Sequence, residues 1–129
     1  MGTQTTALAE LFQALADPTR LRILGLLLNG EVCVCDIHDT LRIPQPKASR
    51  HLACLRRAGL VAARRDGVWV HYRLAETPDP VAATIRQAVV HALGHVDTVR
   101  RDGARLQKTT GCCAPAPAGK PSDVACCAR

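Results

Sequence analysis

The chain has 129 residues and a mass of 13.8 kDa, with 17 Lys and Arg against 11 Asp and Glu and a formal charge of +6, room for one domain with a modest core. Apolar residues at 47% and charged residues at 22% exclude a disordered chain. Only three aromatics, Phe12, Trp69 and Tyr72, exclude a base-stacking platform for single strands, and no apolar run approaches a membrane span.

The predicted elements are mostly helical. Leu8, Leu11, Phe12 and Leu15 recur at helical spacing, which predicts a helix over 4–16. Asp17-Pro18 breaks it and starts a second helix, with Asp17 as N-cap and Asn29-Gly30 as its end. A short helix over 34–41 is followed by Pro44-Gln45-Pro46, a turn and a new helix start. That next helix reaches Ala58 and stops at Gly59, with Ala48, Leu52 and Leu55 on its apolar stripe. The period then alternates. Residues 60–65 and 68–74 read as two strands joined by Asp66-Gly67, a strong hairpin signal. After Pro78 and Pro80, one long helix is predicted over 81–107, on the spacing of Val81, Ile85, Ala88, Ala92, Val96 and Val99. Residues 109–129, rich in Ala, Pro, Gly and Cys, read as a flexible tail beyond a single domain over 1–108.

Charge and cysteine are both unevenly placed. Between Arg42 and Arg73 the chain carries eight basic residues and one acid, Asp66, so this segment holds +7 and the remainder −1. A short helix, a turn, a basic helix and an adjoining hairpin make a mainly α fold with a β wing, a winged helix-turn-helix. Its second helix suits the major groove of double-stranded DNA, with Gln45, Lys47, Ser49, Arg50 and His51 in its first turns and Arg64 and Arg65 on the wing. The cysteines number seven: Cys33, Cys35, Cys54, Cys112, Cys113, Cys126 and Cys127. An odd count without a secretory leader argues against a disulfide framework and for soft-ion binding or redox sensing in the cytoplasm. No Ser/His/Asp order, phosphate loop or paired carboxylates point to an enzyme or a catalytic cofactor.

Three ordered motifs carry a resemblance: Glu31-Val32-Cys33-Val34-Cys35-Asp36-Ile37, then Gln45-Pro46-Lys47-Ala48-Ser49-Arg50-His51-Leu52, then Gly67-Val68-Trp69-Val70-His71-Tyr72-Arg73-Leu74. Together they resemble the ArsR/SmtB family of metal-sensing repressors, and within it the arsenical-resistance branch. The resemblance implies a homodimer through the first and last helices. It also implies operator DNA bound in the apo state and released when trivalent arsenic or antimony is captured by cysteine thiolates. The family places a third cysteine three residues after the second, where this chain has His38. The third donor is then Cys112 or Cys113, which the resemblance favours because some relatives carry ligands near the C-terminus, or His38, or none. Cys126 and Cys127 are weaker candidates.

Cys33 and Cys35 also suggest a mechanism. Residues two apart do not share a helix face, so joint capture requires the start of the short helix to unwind. A helix N-terminus is expected to favour their thiolates. Other residues read as structural: Cys54 in the core, His91 and His95 at a surface or interface, His71 on its strand. A cadmium-, lead- or zinc-responsive repressor and a thiol redox repressor are the alternative readings.

Overall fold

A computed structural model describes residues 5–109, so the expected tail, with Cys112, Cys113, Cys126 and Cys127, lies outside the described residues. The order is α1 Thr5–Leu15, α2 Pro18–Leu26, β1 Val32–Cys33, α3 Val34–Leu41, α4 Gln45–Arg57, β2 Val61–Asp66, β3 Trp69–Leu74, α5 Pro80–Leu93 and α6 Asp97–Thr109. The first corner forms as its residue types dictate. The Asp17 carboxylate accepts from the Thr19 and Arg20 amides at 2.8 and 3.1 Å, capping α2 behind Pro18. Arg20 turns back onto α1, its Nε and Nη2 donating to the carbonyls of Ala14 and Gln13 at 2.8 and 3.1 Å. A cation thus satisfies the open carbonyls at a helix C-terminus.

Helices α3 and α4 form the helix-turn-helix. Arg42 closes α3 in the left-handed region, φ 56 and ψ 46, and the Arg42 and Ile43 amides reach back to the Asp39 and His38 carbonyls. A non-glycine residue there costs on the order of 1–3 kcal/mol, which the packed pair of helices holds in place. The α4 stripe behaves as its spacing predicts: Ala48, Leu52 and Leu55 are fully buried. Around them the core gathers residues of α1, α2, α3, β1 and β2, closed by Leu93 and Val99.

The sheet has the order β1-β3-β2, all antiparallel. Two details depart from the sequence reading. Strand β1 is only two residues long, too short for a periodic signal. The hairpin turn is Gly67-Val68, one residue later than the Asp66-Gly67 expected, because Asp66 is already paired with Trp69. Glycine takes the first turn position with φ 64, as a type II′ hairpin requires.

The larger correction concerns the helix expected over 81–107. It is two helices, α5 and α6, separated by Gly94, His95 and Val96. Helical spacing runs on through the break, which is why the sequence hides it. The reason for the break is burial. Leu93 and Val99 both reach the core, and the bend after α5 lets α6 pack on α2 and α3. Val99 lies so close to α2 that a Cβ on Gly25 would stand 2.5 Å from its Cγ1. Arg22 donates from Nε and Nη2 to the Asp102 carboxylate, both at 2.9 Å, and Asp102 is almost fully buried. Arg105 Nη1 donates to the Thr40 carbonyl of α3 at 2.9 Å. The final helix is therefore occupied within its own chain, and α5 is the late helix with an open face.

Candidate nucleic-acid interface and thiol pair

Burying Ala48, Leu52 and Leu55 turns the opposite side of α4 outward, with Lys47 and Arg50 exposed and Gln45 and Ser49 half-buried. Arg56 and Arg57 extend the cationic edge at the end of α4, two exposed residues that the sequence reading counted in the charge and did not assign. His51 is placed differently from its neighbours. It is half-buried, its Nδ1 lies 3.4 Å from Arg20 Nη1, and burial pushes its pKa below the ordinary value. Asp17 pulls the other way, and nearby Arg20, Lys47 and Arg50 push down with burial, so the neutral imidazole is favoured. It joins α4 to α2 instead.

The wing arginines differ from one another. Successive strand residues face opposite ways, so Arg64 and Arg65 lie on opposite faces of the hairpin. Arg64 is gripped by Glu31: its Nε stands 3.1 Å from both carboxylate oxygens and its Nη2 is 2.6 Å from Oε1. This bond holds the Glu31 carboxyl below the ordinary carboxylate range. Arg64, expected to reach a phosphate or the minor groove, is paired with Glu31 in this structure while remaining half-exposed. Arg65 stands exposed on the other face. Glu31 lies 33 residues away from Arg64 in the chain, and nothing in its local sequence marks it as a partner.

Cys33 and Cys35 sit where the sheet meets the helix-turn-helix. Cys33 ends β1 and is the N-cap residue of α3, in extended backbone at φ −70 and ψ 147. Cys35 lies in the first turn of α3, and both thiols are buried. Because Cys33 lies outside the helix, the expected facing conflict does not arise: the Cys35 thiol already interacts with the Cys33 sulfur without unwinding. For Cys33 the expected preference for the thiolate is opposed. Burial pushes the Cys33 thiol above its ordinary value, outweighing the Cys35 and Asp36 amides and the Cys35 thiol, which pull it down. Asp36, also buried, is pushed up to about 6 by burial and by the nearby Asp39 charge. His38 is half-buried on α3. Among the described residues no three potential metal ligands are gathered around one point. Cys54 is half-buried on α4, packed against the core as expected. His91 and His95 are exposed, with ring centroids 5.1 Å apart.

The sequence profile of the arsR family of bacterial regulatory proteins matches residues 17–63, which span the second helix, the thiol pair, the recognition helix and the start of the wing. An uncharacterised HTH-type transcriptional regulator of Methanocaldococcus jannaschii is 52% identical over 69 residues, covering 53% of this chain and 78% of the relative. The arsenical resistance operon repressor of Escherichia coli K12 is 57% identical over 67 residues, covering 51% of this chain and 57% of that protein. The chain therefore spans less than two thirds of that repressor's length. Among solved structures, a homodimeric winged helix-turn-helix DNA-binding domain from Mycobacterium bovis, described as a possible ArsR-family regulator, matches with a TM-score of 0.58. It is 33% identical, and the match covers 75% of this chain and 94% of that domain.

Proposed function

The chain belongs to the ArsR family of bacterial regulatory proteins, DNA-binding regulators and not enzymes, and from that premise we propose that it is a cytoplasmic, homodimeric repressor whose operator is released on binding trivalent arsenic or antimony. The observation that carries this reading is the position of the thiol pair. Cys33 ends the strand that pairs with wing strand β3, and Cys35 opens the helix that packs against recognition helix α4. An ion held by both sulfurs grips the two DNA-reading parts at their joint.

The chemistry is compatible with protonated thiols. Trivalent arsenic is soft and prefers thiolates to carboxylate or imidazole. Arsenous acid exchanges each hydroxyl for a thiolate, and the thiol proton leaves with the hydroxyl as water. The third sulfur in this reading comes from Cys112 or Cys113. Support comes from α6, whose Arg105 is tied to the Thr40 carbonyl, so the chain approaches its tail against α3. Drawing the tail to the start of α3 moves that helix relative to α4, and the two-state dimer shifts away from its DNA-bound form.

Operator DNA in this reading meets Gln45, Lys47, Ser49 and Arg50 in the major groove, with Arg65 on a flanking phosphate. The dimer forms through α1 and α5. Phe12 on α1 is 50% exposed and Val81 on α5 39% exposed, and of α5 only Leu93 is buried. Serine substitution tests the ligand set. Cys33→Ser or Cys35→Ser is expected to keep operator binding and abolish arsenite-driven release, and the Cys112→Ser, Cys113→Ser pair to weaken release at least tenfold. Unchanged release in the tail variant removes the tail from the mechanism.

A further inference from the structure

Arg20 stands where α1, α2 and α4 converge. Its Nε and Nη2 donate to the Ala14 and Gln13 carbonyls at the end of α1, and its remaining nitrogen, Nη1, lies 3.4 Å from His51 Nδ1 on the recognition helix. A guanidinium only donates, so Nδ1 offers its lone pair and the imidazole carries its proton on Nε2. With its side chain only 19% exposed, Arg20 is turned inward and is not itself a phosphate contact. Beside this contact a groove of about 500 Å³ opens between α1 and α4, lined by Glu10, Gln13, Arg20, Cys54 and Arg57. Among the described residues no hydrogen bond or ion pair runs directly from α1 to α4, so the polar connection between these two helices passes through Arg20.

We propose that Arg20 is a positioning residue for DNA reading: through the His51 imidazole it holds recognition helix α4 at a fixed angle to α1. The inference rests on the reading of α4 as the helix that enters the groove and of α1 as a dimer helix, and it names the link between them. A dimer reads two half-sites at a set spacing, so a change in the angle of α4 to α1 is repeated in both protomers and misplaces both reading helices. The tether acts close to the contact residues, since Arg50 precedes His51 directly and Lys47 lies one turn before it. The link can also open. A second proton on His51 sets an N–H against Arg20 Nη1, donor against donor and cation against cation. The charges that face the ring are Asp17 and Arg20 of α2 and Lys47 and Arg50 of α4, while α1 carries one charge, Glu10, on the groove. Of these, Asp17 favours the imidazolium, and burial and the three cations oppose it. The link is therefore closed at neutral pH and opens on acidification.

The test is a double-mutant cycle in the full chain, read as affinity for a duplex that the parent has selected from random sequence, with imidazole nitrogen resonances as a second readout. Arg20→Met removes the donors and His51→Leu the acceptor. Each is expected to weaken binding about tenfold, and the double variant to bind no more weakly than the worse single, because residues acting through one another are not additive. His51→Gln, whose amide oxygen can accept from Arg20, is expected to restore most of the affinity and to flatten the fall that the parent shows on acidification. In the parent at neutral pH the His51 proton is expected on Nε2, and its titration to move up in Arg20→Met. Additive losses in a parent that binds its duplex overturn the link, as does a His51 proton found on Nδ1. If Arg20→Met does not fold, the parent's tautomer and the pH profile of His51→Gln decide. A parent that selects no duplex removes the DNA reading itself, and this role with it.

Discussion

At the scale of single residues, the thiol pair is surrounded by groups whose ionisation burial has altered. The Asp36 carboxyl, at about 6, holds its proton more tightly in the folded chain than in the unfolded one. The stability it brings is fully present below pH about 4 and is lost as pH rises through 6, on the order of 3 kcal/mol in all. Asp36→Asn, which mimics the protonated form, is expected to raise the thermal midpoint at pH 7 by several degrees and to match the parent below pH 4. Equal midpoints at pH 7 contradict the burial argument. Glu31 and Arg64 form the other residue-level feature. Glu31→Gln frees one cation on the wing, so the metal-free protein is expected to bind duplex DNA more tightly. Its plot of log affinity against log salt steepens by about 0.9, the worth of one phosphate contact. An unchanged slope would show that Arg64 is never available to DNA.

At the scale of elements, the junction of α2 and α6 decides how the chain ends. Gly25→Ala drives a methyl into Val99 and is expected to cost about 1–3 kcal/mol in urea unfolding, recovered largely by adding Val99→Ala. Asp102→Ala leaves Arg22 without its partner. Since the Arg22 side chain is one-third exposed, the expected loss is about 1–3 kcal/mol, below the range for a fully buried pair, with faster amide exchange along α6. The same junction marks the limit of what the sequence discloses. Asp17-Pro18, Pro44 and the glycine at 67 act on their immediate neighbours, so the helix starts and the hairpin are legible from short windows. The break between α5 and α6 is set by Gly25 with Val99 and by Arg22 with Asp102, contacts across some eighty residues that no window contains. For the site, the recognition helix was legible because its buried stripe fixes which side faces out. The state of the thiols, the neutral His51 and the Glu31 grip on Arg64 were not, because each depends on burial or on a distant partner.

At the scale of the whole molecule, an excess of +7 confined to residues 42–73 lies on the α3–α4 turn, α4 and the wing, while the thiol pair lies where β1, which pairs with β3, meets α3. Dimerisation through α1 and α5 would present two such cationic faces to one duplex, spaced by a helical turn or a multiple of it. Phe12→Glu is expected to shift the chain toward monomer in sedimentation and to weaken operator binding with it. The most direct measurement is an anisotropy titration of the metal-free protein on a duplex it has selected from random sequence, repeated with saturating arsenite. The account predicts tight, strongly salt-dependent binding that falls at least tenfold with arsenite in the parent and not in Cys33→Ser. Equal affinity with and without arsenite, in a protein shown to hold the metalloid, would contradict it.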